Sequence, residues 1–179
     1  MPSQIEIEIK SLLTESSYLK LLKYFNKNMN DSYIQINYYI DTPNLDILEN
    51  KDGLRIRKKN EYELTFKTPN IEGLIEVNQD INFDDFNNFK ENNAFPDGEI
   101  KNYIESKYNV STLKILSTLT TYRIDIEYKN GLISIDKNIY NNNLDYELEY
   151  ETTSYQNGLE IIKKLFKELD IEFKENKKS

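Results

Sequence analysis

The hydrophobic and polar positions of this chain alternate with a period of two over many short stretches. Residues 5–10, IEIEIK, put three isoleucines on one face and Glu6, Glu8 and Lys10 on the other, because successive side chains leave a strand on opposite faces. The same alternation occurs over residues 33–41, 54–59, 62–67, 73–81, 118–138 and 144–151. Asn130-Gly131 divides the longest run and is a strong hairpin signal. The pattern therefore predicts about eight strands.

Apolar residues at helical spacing predict helices over residues 15–28 and 154–170, and two short helices within residues 84–108. Thr14 is predicted to be the N-cap of the first helix. So many antiparallel strands do not suit an open sheet in a chain of 179 residues. We therefore predict a mainly β fold of the α+β class, an eight-stranded antiparallel closed barrel with helices packed outside. It would form a single domain over residues 1–179, with a frayed tail at 171–179.

The composition limits both the chemistry and the partners. The chain has no histidine and no cysteine, so any reaction must use carboxylates, amines, guanidinium groups or hydroxyls. Its net charge of -8 disfavours binding to duplex nucleic acid, which depends on neutralising phosphates. The first residues do not resemble a signal peptide, and no apolar run is long enough to cross a bilayer. We expect a cytoplasmic protein with no membrane partner, either a monomer or a homodimer.

The charged face of the strands must lie either in solvent or inside the barrel. A small binding barrel of the lipocalin kind would have an apolar interior and an outer charged face. The amphipathic helices, however, need an apolar surface to cover, and the outer faces of the strands can supply one. The first and last strands are acidic, whereas the third carries Arg55 and Arg57. Neighbours of like charge on an exposed sheet only repel each other, so we expect the charged side chains to point inward.

Acidic and basic strands that face one cavity predict a particular ligand. Carboxylates without nearby histidine or cysteine favour hard cations, Mg²⁺ or Mn²⁺. Arginine and lysine side chains favour phosphate oxygens, and one arginine can donate to two oxygens of the same phosphate group. A cavity that holds both kinds of side chain would bind a polyphosphate complexed with a metal ion.

A series of motifs, taken in order, points to a known family. The motifs are EIEIK at 6–10, YYIDTPN at 38–44, LRIRKK at 54–59, LTFKTP at 64–69, the strand with Arg123, SIDKN at 134–138 and YELEYE at 146–151. This series resembles the CYTH domain, or triphosphate tunnel metalloenzyme, superfamily, and it looks most like the small bacterial CYTH proteins of Gram-positive organisms. The resemblance covers nearly the whole chain. It implies an eight-stranded tunnel lined with charges and a small-molecule substrate that bears a triphosphate.

The resemblance also implies roles for individual residues. Residues matched to the family's metal ligands are Glu6, Glu8, Glu147 and Glu149, with Asp136 a further candidate. Residues matched to its phosphate-binding cations are Lys10, Arg55, Arg57, Lys67 and Arg123. Of these, Glu6, Glu8, Lys10 and Glu149 are expected to be catalytic. The implied cofactor is Mg²⁺ or Mn²⁺.

Three functions fit these residues. The first is a metal-dependent hydrolase of inorganic triphosphate or of a small organic triphosphate. The second is a class IV type of adenylate cyclase, which makes cAMP and pyrophosphate from ATP, and the third is a non-catalytic module that binds a polyphosphate or nucleotide. Thr121 and Asn78 stand where the family often has a basic and an acidic residue, and the chain has no tryptophan. The family includes thiamine triphosphatases, some of which stack the thiamine ring on a tryptophan. The missing tryptophan therefore weakens the case for thiamine triphosphate as the substrate, although Tyr39 could stack on a base.

Overall fold

The structure, a computed structural model, describes residues 3–176. In chain order its elements are β1 (Ser3–Leu13), α1 (Glu15–Tyr24), β2 (Tyr33–Asp41), α2 (Asp46–Glu49), β3 (Gly53–Lys58), β4 (Tyr62–Asn70), β5 (Gly73–Ile81), α3 (Phe83–Asn92), α4 (Glu99–Ile104), β6 (Lys114–Tyr128), β7 (Gly131–Tyr140), β8 (Asn143–Thr152), α5 (Tyr155–Glu168) and β9 (Lys174–Glu175). Short 3-10 turns lie at Met29–Asp31 and Val110–Thr112. Within residues 3–176, no helix combines the length and the apolar character needed to span a bilayer.

The strands belong to one sheet in the order β5-β4-β3-β2-β6-β7-β8-β1-β9, and β5 also pairs with β1. This is the connectivity of a closed eight-stranded barrel, to which β9 is added as a short extra strand. The predicted fold class is therefore confirmed. Two compact units can be distinguished along the described chain, residues 3–5 with 35–119 and residues 6–34 with 120–176.

The first unit buries the apolar face of β3 and β4 under helices. Leu64 and Phe66 of β4 belong to a buried cluster that includes Phe89 of α3 and Ile100 of α4. The predicted pair of short helices in this region is confirmed, since α3 and α4 fall within residues 84–108 apart from the first residue of α3. The opposite face of β4 carries Lys67, which is nevertheless only 7% exposed.

The second unit buries the apolar face of its strands under α1 and α5. Leu21 of α1 and Phe166 of α5 pack in one cluster with Ile9, Ile135 and other strand residues. The helices therefore cover the apolar faces, as predicted from their amphipathic pattern. The charged face of this sheet is also buried at several positions, among them Asp136 at 2% exposure.

Two element ends show how local chemistry sets the boundaries. Thr14 caps α1 as predicted, because its side chain accepts a hydrogen bond from the Ser17 amide. The helix ends at Tyr24, four residues before the predicted end at residue 28. Asn26 adopts a left-handed backbone conformation with φ of 56°, which an α-helix cannot continue through.

The predicted hairpin between β6 and β7 is confirmed, but its glycine acts through packing. The loop residues Lys129 and Asn130 both have positive φ, as expected for the favoured two-residue turn, and Gly131 pairs with Tyr128. A Cβ atom on Gly131 would lie 2.5 Å from the ring of Tyr150. The Tyr150 hydroxyl donates to the carbonyls of Tyr128 and Lys129 at 2.8 and 3.0 Å, so the ring is held over a position that only glycine fits.

The frayed tail predicted for residues 171–179 differs from the structure over its described part. Ile171 is buried, and β9 pairs with Ser11 and Leu12 of β1. Residues 177–179 lie outside the described part of the chain. The pairing of β9 is possible because the backbone groups of β1 at this point are available to accept another strand.

Candidate functional site

Three carboxylates of the second unit lie together on the polar face of β1 and β8. Glu6 and Glu8 share a face of β1 because they are two residues apart, and Glu149 comes from the antiparallel neighbour β8. Each residue offers one oxygen, and these oxygens all lie within 4.8 Å of one another. Glu6 and Glu149 are each only 8% exposed. We call this group the carboxylate cluster.

Two cations adjoin the carboxylate cluster through Glu149. The Nζ atom of Lys10 lies 3.9 Å from Oε2 of Glu149, and Nη2 of Arg123 lies 3.6 Å from the same oxygen. Burial raises the pKa of the Glu149 carboxyl, and its hydrogen bond with Glu8 and the charge of Glu8 raise it further. Lys10 and Arg123 act in the opposite direction. The carboxylates of Glu8 and Glu149 therefore oppose each other's ionisation, and a cation bound between them would relieve that repulsion.

Asp136 lies beside Arg123 in a fully formed ion pair. Nε and Nη2 of Arg123 donate to the two oxygens of Asp136 at 2.8 and 2.7 Å. Burial lowers the pKa of the Arg123 guanidinium, but the charge and hydrogen bonds of Asp136, together with the charge of Glu149, more than offset this, so the pKa stands well above its ordinary value. Among the described residues, the carboxylate cluster does not include Asp136. Asp136, predicted as a candidate metal ligand, thus lies where it orients the Arg123 side chain.

Glu147 lies on the same face of β8 as Glu149, two residues away along the strand, and among the described residues it is not a member of the carboxylate cluster. Burial raises the pKa of Glu147, whereas Lys10 and a hydrogen bond from Asn176 lower it. Nδ2 of Asn176 donates to Oε2 of Glu147 at 2.7 Å. The sequence did not single out Asn176, because a polar stretch of Lys, Glu and Asn carries no periodic signal.

A polar chain next to Glu149 also went unrecognised in the sequence. The hydroxyls of Tyr33 and Ser134 donate to the two oxygens of Asp125 at 2.6 and 2.8 Å. Burial and the hydrogen bond to Asp125 both raise the pKa of Tyr33. Ser134 is the direct cross-strand neighbour of Glu149. Alternation places Ser134 on the same face as Asp136, but it gives no sign of the bonds to Asp125.

The first unit holds the remaining predicted cations on the polar face of β3 and β4. Nζ of Lys67 lies 3.8 Å from Oε2 of Glu76, and both side chains are about nine-tenths buried. Nε of Arg57 donates to Asn37 at 2.7 Å. Nε of Arg55 is buried and has no hydrogen-bond partner among the described residues. A buried guanidinium N–H without a protein partner is suited to bind an oxyanion.

The residues of the carboxylate cluster fit a hard divalent cation. They offer only oxygen donors, in a chain without histidine or cysteine, which is the ligand chemistry of Mg²⁺ and Mn²⁺. Lys10 and Arg123 beside them give the same site cationic donors that suit phosphate oxygens. Fold and site together define a β-barrel protein whose polar site can hold a cation and an anion side by side.

Comparisons with known proteins agree with this class. The model of the CYTH domain family matches residues 4–179. A protein of Bacillus subtilis (strain 168) named "Putative triphosphatase YjbK" is 31% identical over 180 residues, which cover 99% of this chain and 93% of the relative. The chain belongs to the CYTH domain family, as its motifs predicted.

Solved structures show the same fold. A crystal structure from Bacillus halodurans, described as "a putative adenylate cyclase", has a TM-score of 0.92 and 30% identity and covers 99% of this chain and 97% of that one. HpAC1 from Hippeastrum, described as a "putative adenylyl cyclase" with "a dominant" triphosphatase activity, has a TM-score of 0.78 at 20% identity and covers 98% and 92% of the two chains.

Proposed function

We propose that this chain is a divalent-metal-dependent hydrolase of inorganic triphosphate or of a small organic triphosphate. The observation that carries the proposal is the carboxylate cluster, whose oxygens lie within 4.8 Å of one another beside Lys10 and Arg123. Membership of the CYTH family and the similarity to a relative named as a triphosphatase support it.

Glu6, Glu8 and Glu149 would hold Mg²⁺ or Mn²⁺, and Glu147 on the same face would be a fourth ligand. When bound, such an ion supplies charge for the phosphoryl oxygens and lowers the pKa of a water, so a chain without histidine needs no imidazole base. Asp136, which the family motif suggested as a ligand, is better suited to hold Arg123 in place, because both its oxygens accept from that guanidinium.

The cations would bind and orient the phosphates. Lys10 and Arg123 adjoin Glu149, so they can contact phosphoryl oxygens next to the carboxylate cluster and stabilise charge that develops there. Arg55, Arg57 and Lys67 would bind further phosphate oxygens, a role supported by the family motifs and, for Arg55, by its unfilled buried donor. Such fixed cations accelerate phosphoryl transfer mainly through positioning and electrostatics.

Cyclisation of ATP is the second candidate, because a structure described as a putative adenylate cyclase matches this chain at 30% identity. The two reactions differ in their products. Purified protein should be incubated with tripolyphosphate or ATP, with Mg²⁺ or Mn²⁺, and assayed for orthophosphate, pyrophosphate and cAMP. We expect orthophosphate from tripolyphosphate; cAMP with pyrophosphate from ATP would instead establish a cyclase.

If neither reaction occurs with either metal while tripolyphosphate still binds, the binding-module alternative replaces the hydrolase. The cytoplasmic location, the monomeric or homodimeric state and the lack of a duplex nucleic-acid partner stay predictions from the sequence.

A further inference from the structure

The segment Lys174–Asn176 is fixed to β1 beside the carboxylate cluster. The Lys174 amide donates to Oγ of the fully buried Ser11 at 3.0 Å, and the Asn176 amide donates to the carbonyl of Lys10 at 2.9 Å. Between them, the side chain of Glu175 accepts a hydrogen bond from the Tyr155 hydroxyl at 2.7 Å. Backbone and side-chain bonds thus hold this segment at three successive residues.

Asn176 connects two functional positions of the site. Its backbone is bonded to the strand at Lys10, one of the proposed phosphate-binding residues. Its side-chain amide donates to Oε2 of Glu147 at 2.7 Å. Because the amide N–H engages Oε2, it favours the ionised carboxylate in one orientation and leaves Oε1 for another partner.

We propose that Asn176 is a positioning residue of the metal site, which orients Glu147 so that its second oxygen can complete the carboxylate cluster as a ligand. This inference rests on the proposed function, since it assigns Glu147 to the bound ion. Carboxylates that hold metal ions are commonly held by a further hydrogen bond from outside the ligand set, and loss of that bond weakens metal binding roughly 10–100-fold. Asn176 supplies such a bond, and it directly follows the short strand β9 that pairs with β1.

The test is the affinity of the full chain for Mn²⁺ without substrate, measured by isothermal titration calorimetry. Asn176→Ala should bind Mn²⁺ about 10–100-fold more weakly than wild type. Asn176→Leu keeps the size of the side chain but removes its donor, and should show the same loss. Glu175→Ala is the matched control, because it changes the neighbouring residue and its bond to Tyr155, and we expect it to leave the affinity unchanged. Thermal denaturation of each variant without metal checks that the fold is retained.

A double-mutant cycle separates positioning from a general structural effect. In a Glu147→Ala background, Asn176→Ala should cause no further loss of Mn²⁺ affinity, because its partner is already absent. An equal loss in both backgrounds would show that Asn176 does not act through Glu147, and unchanged affinity in both Asn176 variants would also overturn the proposal.

A further variant distinguishes failure of the proposed metal site from failure of the role of Asn176. Glu8→Ala should remove most Mn²⁺ binding, because Glu8 belongs to the carboxylate cluster. If the wild type binds no Mn²⁺, or Glu8→Ala binds it normally, the metal site itself is wrong and the role of Asn176 falls with it. If Glu8→Ala behaves as expected but both Asn176 variants bind normally, only the positioning role is wrong.

Discussion

Replacing Asp136 by alanine should destabilise the protein strongly even without metal or substrate. Asp136 accepts two hydrogen bonds from Arg123 at 2.8 and 2.7 Å, and the side chains are 3% and 13% exposed. Removing one partner of a buried ion pair leaves the other charge buried without compensation, which costs about 3–5 kcal/mol. Glu149 remains 3.6 Å from Arg123 and can compensate in part, so we expect a loss near 3 kcal/mol in the free energy of unfolding.

The assay is urea denaturation of wild type and Asp136→Ala in the presence of a chelator, so that metal binding does not contribute. Asp97→Ala is the control, because Asp97 pairs with Lys101 at 2.9 Å but its side chain is 94% exposed. An exposed pair of this kind contributes about 0–1 kcal/mol. If the two variants lose similar amounts, both under 1 kcal/mol, the Asp136 pair is not the buried structural contact inferred here.

Four further results are expected. Binding of Mn²⁺ should release protons and strengthen as pH rises, because a raised pKa means that Glu149 holds its proton to higher pH than an ordinary carboxyl and must lose it to bind a cation. Equal calorimetric heats in buffers of different ionisation enthalpy would contradict this. The same raised pKa means that stability without metal falls as pH rises from the ordinary carboxyl pKa through the folded value, and Glu149→Gln should flatten that slope in urea titrations at several pH values. Lys10→Ala should raise KM for tripolyphosphate more than it lowers kcat, and unchanged kinetics would place Lys10 outside the substrate site. Gly131→Ala should cost about 1–3 kcal/mol in thermal or urea unfolding because of the Tyr150 ring, whereas Gly53→Ala, whose nearest neighbour would lie at 3.9 Å, should cost much less.

The alternation of side chains along each strand was enough to predict which residues share the polar face of that strand. Alternation alone put Glu6, Glu8 and Lys10 on one face, and the parity of β8 did the same for Glu149, because side-chain direction in a strand follows directly from residue number. Which strands are neighbours does not follow from alternation. The proximity of Glu149 to Glu6 and Glu8 depends on the pairing of β8 with β1, which the structure shows and the motifs did not specify.

The contacts missed in the sequence depend on side-chain partners far apart in the chain. Tyr33 and Asp125 are 92 residues apart, and Glu147 and Asn176 are 29 apart. Neither pair has a local pattern, since each bond requires strands or segments to be placed first. The pairing of Asp136 with Arg123 is different, because the two residues face each other across the predicted β6–β7 hairpin. Its role was missed because a carboxylate on a strand looks the same whether it will meet a metal ion or a guanidinium.

The most direct test is tripolyphosphate turnover as a function of Mg²⁺ or Mn²⁺ concentration, for wild type and Glu8→Ala. Wild type should release orthophosphate only when metal is present, and Glu8→Ala should lose activity by orders of magnitude while keeping the wild-type circular dichroism spectrum. Turnover that does not depend on metal, or full activity in Glu8→Ala, would contradict a metal-dependent triphosphatase built on the carboxylate cluster.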